Sequence, residues 1–344
     1  MAAVSFPKCR ESSCAEFAVS FSFFCWTHTP KIDYPSKLRE GIKALSFSPA
    51  PVNLKKVECS GIDFSNLSLE GSSYSQAHLF QCLFIGANLA GSDMIGAKCV
   101  NCDFVGADLK KTNWTRSVIE RCSFSFTDLQ NSYWVEVSLK EMDFMGALLY
   151  NSVIWNTDLA GVKHLKKKNF QDPQGVPRNP HVCFLEKDPL VACESYRMLK
   201  HYFYRNGLYD DASWAAYREL TMERKHFFKT KDFRYLPSLL MDILSGYTEK
   251  PGRVIASSFA IVIFFGLLYF FFNASCPSRG DMSAPTGFWD NLYFSFITFT
   301  TVGFGDYAPR PVVWFRLLAC LEAFSGPFMA GLYIFTLTRR YAAN

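Results

Sequence analysis

From Val52 the sequence keeps a period of five residues through 22 successive blocks without an insertion, from VNLKK, VECSG, IDFSN and LSLEG onward to TDLAG. The third position of every block is Leu, Phe, Met, Trp, Tyr, Ile or Cys, and the first is small or aliphatic. Asp or Asn recurs at the second position and Gly or Asn at the fifth. A period of five suits neither a helix nor a strand, whose side chains repeat every 3.6 and 2 residues. A square coil satisfies it. Each block makes one side, the large residue points to the axis, the small one fills beside it, and the chain turns at each corner. Four blocks per coil give about five and a half coils, a rod of roughly 25 Å at the usual spacing of stacked strands.

This pattern resembles the pentapeptide-repeat fold, and the resemblance covers residues 52–166. It implies a right-handed quadrilateral β-helix with Trp114 and Trp134 in its core. Some proteins of this fold mimic DNA with an acidic surface. Here 12 Asp and Glu face 10 Lys and Arg across residues 52–166, a difference of only −2, so mimicry is not expected. The rod reads as a rigid scaffold or an assembly surface for a cytoplasmic protein or ligand. Cys99 and Cys102 sit in phase with the repeat and read as core.

The C-terminal third has a different character. Val254–Phe272 is 19 residues without a charge, close to the roughly 20 needed to cross a bilayer core. A second span is predicted over 313–338, and its stretch Leu317–Thr338 holds a single charge, Glu322. Lys250 and Arg253 precede the first span and Arg339 and Arg340 follow the second, so the positive-inside bias predicts both ends in the cytoplasm. Between the spans, residues 287–299 are apolar and aromatic but too short to cross. They read as a re-entrant half-helix capped near Thr286. Next comes Thr300-Thr301-Val302-Gly303-Phe304-Gly305-Asp306. Non-helical backbone at membrane depth persists only where it lines a cavity or is buried in protein. Gly303 and Gly305 let successive carbonyls turn the same way, and the Thr301 hydroxyl offers a further oxygen at the inner end.

Residues 300–306 resemble the potassium-channel signature, and their flanks complete the resemblance over 254–340: span, half-helix, filter, span. It implies a two-span pore domain in which backbone oxygens replace the water shell of K+, and a homotetramer, since the pore needs four filter strands and the chain carries one. Phe304 stands where Tyr is commoner and removes a hydroxyl that could brace the filter. Gly326, with Pro327, lies near where such channels bend the inner helix and reads either as a gating hinge or as packing against the half-helix. Ile334, Phe335 and Thr338 fall where four inner helices would converge and could close the path. Glu322 reads as a carboxylate behind the filter or facing the cavity. Cys276, on the outer side, offers a thiol that could bridge subunits.

The first thirty residues, 1–30, carry Cys9-x4-Cys14-x10-Cys25-x2-His28. Three thiolates and an imidazole suit a closed tetrahedral zinc site, and the segment is too short to fold on its own core, so the metal would supply folding energy. Phe24-Cys25-Trp26-Thr27-His28 resembles small zinc knuckles ahead of repeat domains. The competing reading is unrelated buried thiols. No secretory signal is evident at the N-terminus, so the 12 cysteines of the chain are expected as thiols or ligands rather than disulfides.

Residues 31–51 read as a linker and 167–189 as a loop. Residues 190–230 read as a helical hairpin broken at Gly207, and 231–253 as an interfacial helix feeding the first span. Arg224, Lys225, Lys229, Lys231 and Arg234, interleaved with Phe227, Phe228 and Phe233, could hold anionic lipid headgroups or form a solvated face. No Arg ladder exists for voltage sensing, and few residues follow Thr338, so a regulator is expected in the first 250 residues. A net charge of +5 is too small to argue for nucleic acid, and no nucleophile–base set or phosphate loop suggests an enzyme. The expected function is a potassium-selective channel in the plasma or inner membrane. The alternatives are a weakly selective cation channel and a membrane-anchored interaction scaffold.

Overall fold

The computed structural model describes residues 6–22, 24–46, 49–171, 188–278 and 286–341. Two compact units divide the chain, residues 1–223 and 224–344.

In the first unit the five-residue period becomes a β-solenoid. Its strands are β1 (Glu58–Ser60), β2 (His78–Phe80), β3 (Lys98–Val100), β4 (Val118–Glu120), β5 (Tyr133–Val135), β6 (Ser138–Lys140), β7 (Met142–Asp143), β8 (Val153–Trp155) and β9 (Val162–Lys163). β1, β2, β3, β4 and β6 form a parallel sheet in that order, while β5 pairs with β8 and β7 with β9. Glu58 lies opposite His78, and His78 opposite Lys98, so one coil takes four blocks. The third residues of the blocks are buried. Phe64, Phe84, Phe104, Phe124 and Phe144 stack in a column with successive centroids 4.7, 4.8, 4.8 and 5.5 Å apart, near the spacing of the strands that carry them. Trp114 stacks on Trp134 at 5.3 Å. Each indole N–H donates to a hydroxyl at the first position of its own block, Trp114 to Thr112 at 3.0 Å and Trp134 to Ser132 at 2.7 Å. The repeat thus satisfies the polar end of a buried indole from within.

The corners explain the other two preferences. The fifth residues carry positive φ, as at Gly61 (60°), Asn66 (59°), Asn101 (54°) and Gly106 (67°), a conformation that Gly and Asn adopt most easily. The second residue accepts the backbone N–H two positions on, as Asp63 does from Ser65 at 2.9 Å and Asp103 from Val105 at 3.0 Å, an Asx turn at the start of each corner. Cys59, Cys82, Cys99, Cys102 and Cys122 are free thiols buried in the solenoid.

Residues 31–51 are not a plain linker. They hold helix α1 (Tyr34–Leu45), whose Tyr34, Leu38, Ile42 and Leu45 form a buried stripe in the solenoid's core cluster. The 3/4 spacing of these four apolar residues produces that stripe. The loop expected at 167–189 begins with a short 3-10 helix, Lys167–Phe170, and residues 172–187 lie outside the described residues. Helix α2 (Pro189–Arg205) is capped by Asp188, which accepts from the Leu190 N–H at 3.1 Å. Gly207, at φ 70°, breaks the chain before α3 (Tyr209–Thr230). Arg197 and Lys200 of α2 hold the buried Glu219 of α3 at 2.9 and 2.6 Å, and the Tyr202 hydroxyl donates to the Val162 carbonyl at 3.0 Å. The helix pair therefore docks on the last coil.

The second unit begins within the end of α3 and continues through α4 (Tyr235–Ser245), α5 (Pro251–Phe271), β10 (Ser275–Pro277), α6 (Phe288–Phe299), β11 (Tyr307–Pro309) and α7 (Val313–Tyr341). Among the described residues, α5 and α7 are the two helices long and apolar enough to cross a membrane. Leu236, Leu240 and Ile243 line one exposed face of α4, at the spacing of an amphipathic helix. β10 and β11 pair antiparallel, with Cys276 opposite Ala308. Cys276 is buried, its thiol directed at the Ala308 carbonyl 3.6 Å away, so it is not presented for a bridge between subunits.

Candidate functional site

The site is a helical hairpin holding a short re-entrant helix. α6 packs against both long helices through small residues. At Gly266 of α5, an added Cβ would stand 3.2 Å from the Leu292 Cα; at Gly326 of α7, it would stand 1.7 Å from the Phe299 carbonyl oxygen. Gly326 is therefore a contact residue at the C-terminal end of α6. The α7 helix continues through Pro327, which has no N–H to offer the preceding turn.

Three polar side chains, one per helix, meet inside this packing. The Glu322 carboxylate is completely buried. It accepts the Tyr269 hydroxyl of α5 at 2.6 Å and contacts the Ser295 hydroxyl of α6. Ser295 Oγ also lies 2.8 Å from the Val262 carbonyl. The carboxylate thus sits among the helices, behind α6. Nearer the start of α6, Asn291 is fully buried and donates to the Thr286 hydroxyl at 2.9 Å and the Gly287 carbonyl at 2.8 Å, and its own amide oxygen accepts from Ser275 at 2.7 Å. The N-cap of α6 is Gly287, next to Thr286, and the Asp290 carboxylate in the first turn accepts the Gly287 N–H at 3.0 Å. Buried polar groups in low dielectric must be partnered, and these two clusters partner each other's elements.

Residues 300–306 follow the C-terminus of α6. Thr300 ends the helix and turns its hydroxyl back to the Phe296 carbonyl at 2.8 Å. Thr301, Gly303 and Gly305 then take positive φ, at 55, 52 and 80°, while Val302 and Phe304 between them do not. Such alternation directs successive carbonyls to one side of the strand, unlike a β-strand, in which they alternate. The Gly303 N–H donates to the Ile297 carbonyl at 3.3 Å, and the Ser278 N–H to the Asp306 carbonyl at 2.8 Å. The segment is exposed throughout, with Phe304 72% exposed. Phe304 lacks a hydroxyl, but two tyrosines flank the segment. The Tyr293 and Tyr307 rings meet edge to face at 6.0 Å. This ring contact joins α6 to the strand that follows the segment.

The other expected site residues lie elsewhere. Ile334, Phe335 and Thr338 are exposed on the last turns of α7. Of the five basic residues proposed for lipid, Arg224 is committed within the protein: it meets Asp242 at 2.5 Å and lies over the Tyr247 ring. Asp242, on α4, also takes Arg253 of α5 at 2.9 Å, so one carboxylate joins three helices. Arg234 pairs with Asp232 at 2.6 Å and lies over Phe227. Lys229 and Lys231 are exposed beside Phe228 and Phe233, and Lys225 is half-buried. Cys9, Cys14, Cys25 and His28 come together, their ligand atoms all within 4.8 Å of one another. The contact with Cys9, above all, raises the His28 imidazole pKa. At Cys9, burial pushes the thiol up, but hydrogen bonds from the Cys25 and Glu11 backbone and contacts with His28 and Cys25 outweigh it and leave it at about 7.

Periodicity carried no signal for the Tyr269–Ser295–Glu322 cluster, the Tyr293–Tyr307 contact or the Asp242 clamp. Polar residues inside apolar helices, such as Asn291 and Ser295, were the one available clue.

Comparison with known proteins adds families to this geometry. Residues 257–343 match the ion channel family, and residues 62–98, 75–110 and 97–133 match pentapeptide repeats. No curated protein matches the chain. Solved structures similar to it include QnrB1, a plasmid-mediated fluoroquinolone resistance protein, at 19% identity over 32% of this chain and 67% of that one, with a TM-score of 0.26. A pentapeptide repeat protein from the Arabidopsis thaliana thylakoid lumen is 20% identical over 36% of this chain and 81% of that one, at a TM-score of 0.21. A third, from the cyanobacterium Cyanothece, is 17% identical over 30% and 86%, at 0.20. The chain thus joins a pentapeptide-repeat solenoid to a C-terminal helical unit whose residues 257–343 are similar to the ion channel family.

Proposed function

We propose that the protein is a potassium-selective channel, a homotetramer whose four copies of residues 300–306 surround one conduction path. The observation that carries this reading is the alternation of left-handed backbone at Thr301, Gly303 and Gly305 directly after the re-entrant helix. It lines up carbonyls that can replace a potassium ion's hydration. The C-terminal end of α6, negative by its dipole, adds a field that favours a cation beneath them. One chain leaves residues 300–306 bare, and unpaired polar backbone cannot face lipid. Symmetric copies would cover it.

Both chain ends lie in the cytoplasm of a plasma or inner membrane in this reading, and the protein is a conductor rather than an enzyme. Gating passes from the repeat domain through α3 and the Asp242 clamp into α5. Lys229 and Lys231, with exposed Phe228, Phe233 and the apolar face of α4, meet anionic headgroups at the inner surface. Ile334, Phe335 and Thr338 narrow the inner mouth. A second reading, weak selectivity among cations, draws on Phe304.

The test is flux. Purified protein in liposomes is expected to release potassium under a gradient and to pass sodium at least about tenfold more slowly, with native mass spectrometry showing four copies. Equal fluxes would favour the second reading. No flux of either ion, with partner binding by the solenoid intact, would leave a scaffold instead.

A further inference from the structure

The N-terminal cluster belongs to the first unit, and its geometry is specific. Cys14 Sγ lies 3.7 Å from Cys25 Sγ, and His28 Nδ1 lies 3.6 Å from Cys9 Sγ and 3.3 Å from Cys25 Sγ. A tetrahedron with zinc–sulfur bonds of about 2.3 Å and zinc–nitrogen bonds of about 2.05 Å has edges of about 3.8 Å between sulfurs and about 3.6 Å between sulfur and nitrogen. The Cys14–Cys25 and Cys9–His28 edges are close to these lengths, and the Cys25–His28 edge, at 3.3 Å, is somewhat shorter. Cys9, Cys14 and a turn in which the His28 N–H donates to the Cys25 carbonyl at 3.0 Å bring three thiols and an imidazole together, and none of the thiols is joined in a disulfide.

The chain between these residues lies against the first coil of the solenoid. The Ser20 N–H donates to the Asn53 carbonyl at 2.8 Å, the Asn53 N–H to Ser20 Oγ at 2.7 Å, and the Asn53 side-chain amide to the Ala18 carbonyl at 2.7 Å. Glu16 pairs with Lys56 at 2.8 Å, and the Tyr34 hydroxyl donates to the Ser20 carbonyl at 2.9 Å. Val19 joins the solenoid core. Solenoids need a terminal element over the open end of their core, and Cys14 and Cys25 bracket the segment that provides it.

We propose that Cys9, Cys14, Cys25 and His28 bind one structural zinc ion, and that this ion locks residues 16–20 onto the first coil as the N-terminal cap of the solenoid. Binding displaces the thiol protons to solvent and forms three zinc–sulfur bonds and one zinc–nitrogen bond, with no change in oxidation state. All four positions are taken by protein, so the ion is structural and carries no open site.

The full chain, purified in detergent, tests this. Elemental analysis is expected to find one zinc per chain, and cobalt(II) exchanged into the site is expected to give the visible bands of a tetrahedral thiolate complex. Stripping the metal with a strong chelator should speed amide exchange at Val19 and Ser20 by more than about tenfold, because metal binding and folding are coupled here. Zinc should restore it. Cys25→Ser should lose the metal, while His28→Cys, which keeps four ligands, should retain it. As-isolated protein without zinc that also refuses cobalt would overturn the proposal, as would a Cys14–Cys25 disulfide in freshly reduced and re-equilibrated protein. Unchanged exchange after complete stripping would overturn the capping role. None of these readouts involves conduction, so they stand or fall separately from the channel reading.

Discussion

The backbone of Gly326 lies directly on the carbonyl oxygen of Phe299, leaving no room for a side chain between the inner helix and the end of the re-entrant helix. This contact fixes the height at which the segment beginning at Thr300 leaves α6. Gly331, one and a half turns further along α7, faces open space instead. Two glycines on one helix thus have opposite meanings.

Gly326→Ala is expected to lower the thermal midpoint of the purified protein by several degrees and to abolish flux, because the Cβ must displace backbone. Gly331→Ala should hold or raise stability, by up to about 1 kcal/mol from helix propensity. Thermal unfolding in detergent compares them. A hinge without a packing role would show the reverse for Gly326, with stability kept and gating altered.

Glu322 accepts from two other helices at once. Glu322→Ala should cost about 2–4 kcal/mol, since it strands the buried Tyr269 hydroxyl, leaves Ser295 only the Val262 carbonyl and opens a cavity. Tyr269→Phe should cost less, about 1 kcal/mol. In the double variant the two losses should fall short of their sum by about 1 kcal/mol. Strict additivity in a denaturation series would show that the two side chains do not interact in the folded protein.

In the solenoid, Phe104 sits mid-column between Phe84 and Phe124 at 4.8 Å from each. Phe104→Ala should destabilise this unit by about 3–5 kcal/mol. Substituting Phe126, a corner residue with an exposed ring, by Asn should cost little, because Asn tolerates the left-handed backbone found there. Chemical denaturation followed by tryptophan fluorescence reads both changes, with Trp114 and Trp134 reporting from the core.

Asp242 joins Arg224 and Arg253, and its removal leaves two guanidinium groups without their shared anion. Arg253 is partly exposed, so solvent limits the loss. Asp242→Ala is expected to cost about 1–2 kcal/mol and to shift the open fraction of the channel more than its unit conductance. Single-channel recording separates these quantities. A changed conductance with unchanged open fraction would place Asp242 in the permeation path rather than in the coupling.

The solenoid was legible almost residue by residue, because one physical rule repeats in every block and errors at single positions do not spoil the phase. The spans were legible from the absence of charge, and residues 300–306 from two glycines at a spacing that backbone geometry demands. Helix α1 was missed because its apolar stripe, Tyr34, Leu38, Ile42 and Leu45, is short and interrupted by charged residues. The start of α6 near Thr286 was legible, but not its detail: Gly287 is the N-cap, Asp290 reaches back to the Gly287 N–H, and Thr286 serves Asn291. The Tyr293–Tyr307 contact depends on how the chain folds back after the turn, which no local pattern encodes.

The most direct measurement is the bi-ionic reversal potential of the purified protein in planar bilayers, potassium on one side and sodium on the other, for the unmodified chain and for Gly303→Ala. The account predicts a potential close to the potassium limit for the first, and loss of that preference, or of current, for the second. A reversal potential near zero in the unmodified chain, or potassium preference surviving in Gly303→Ala, would contradict it.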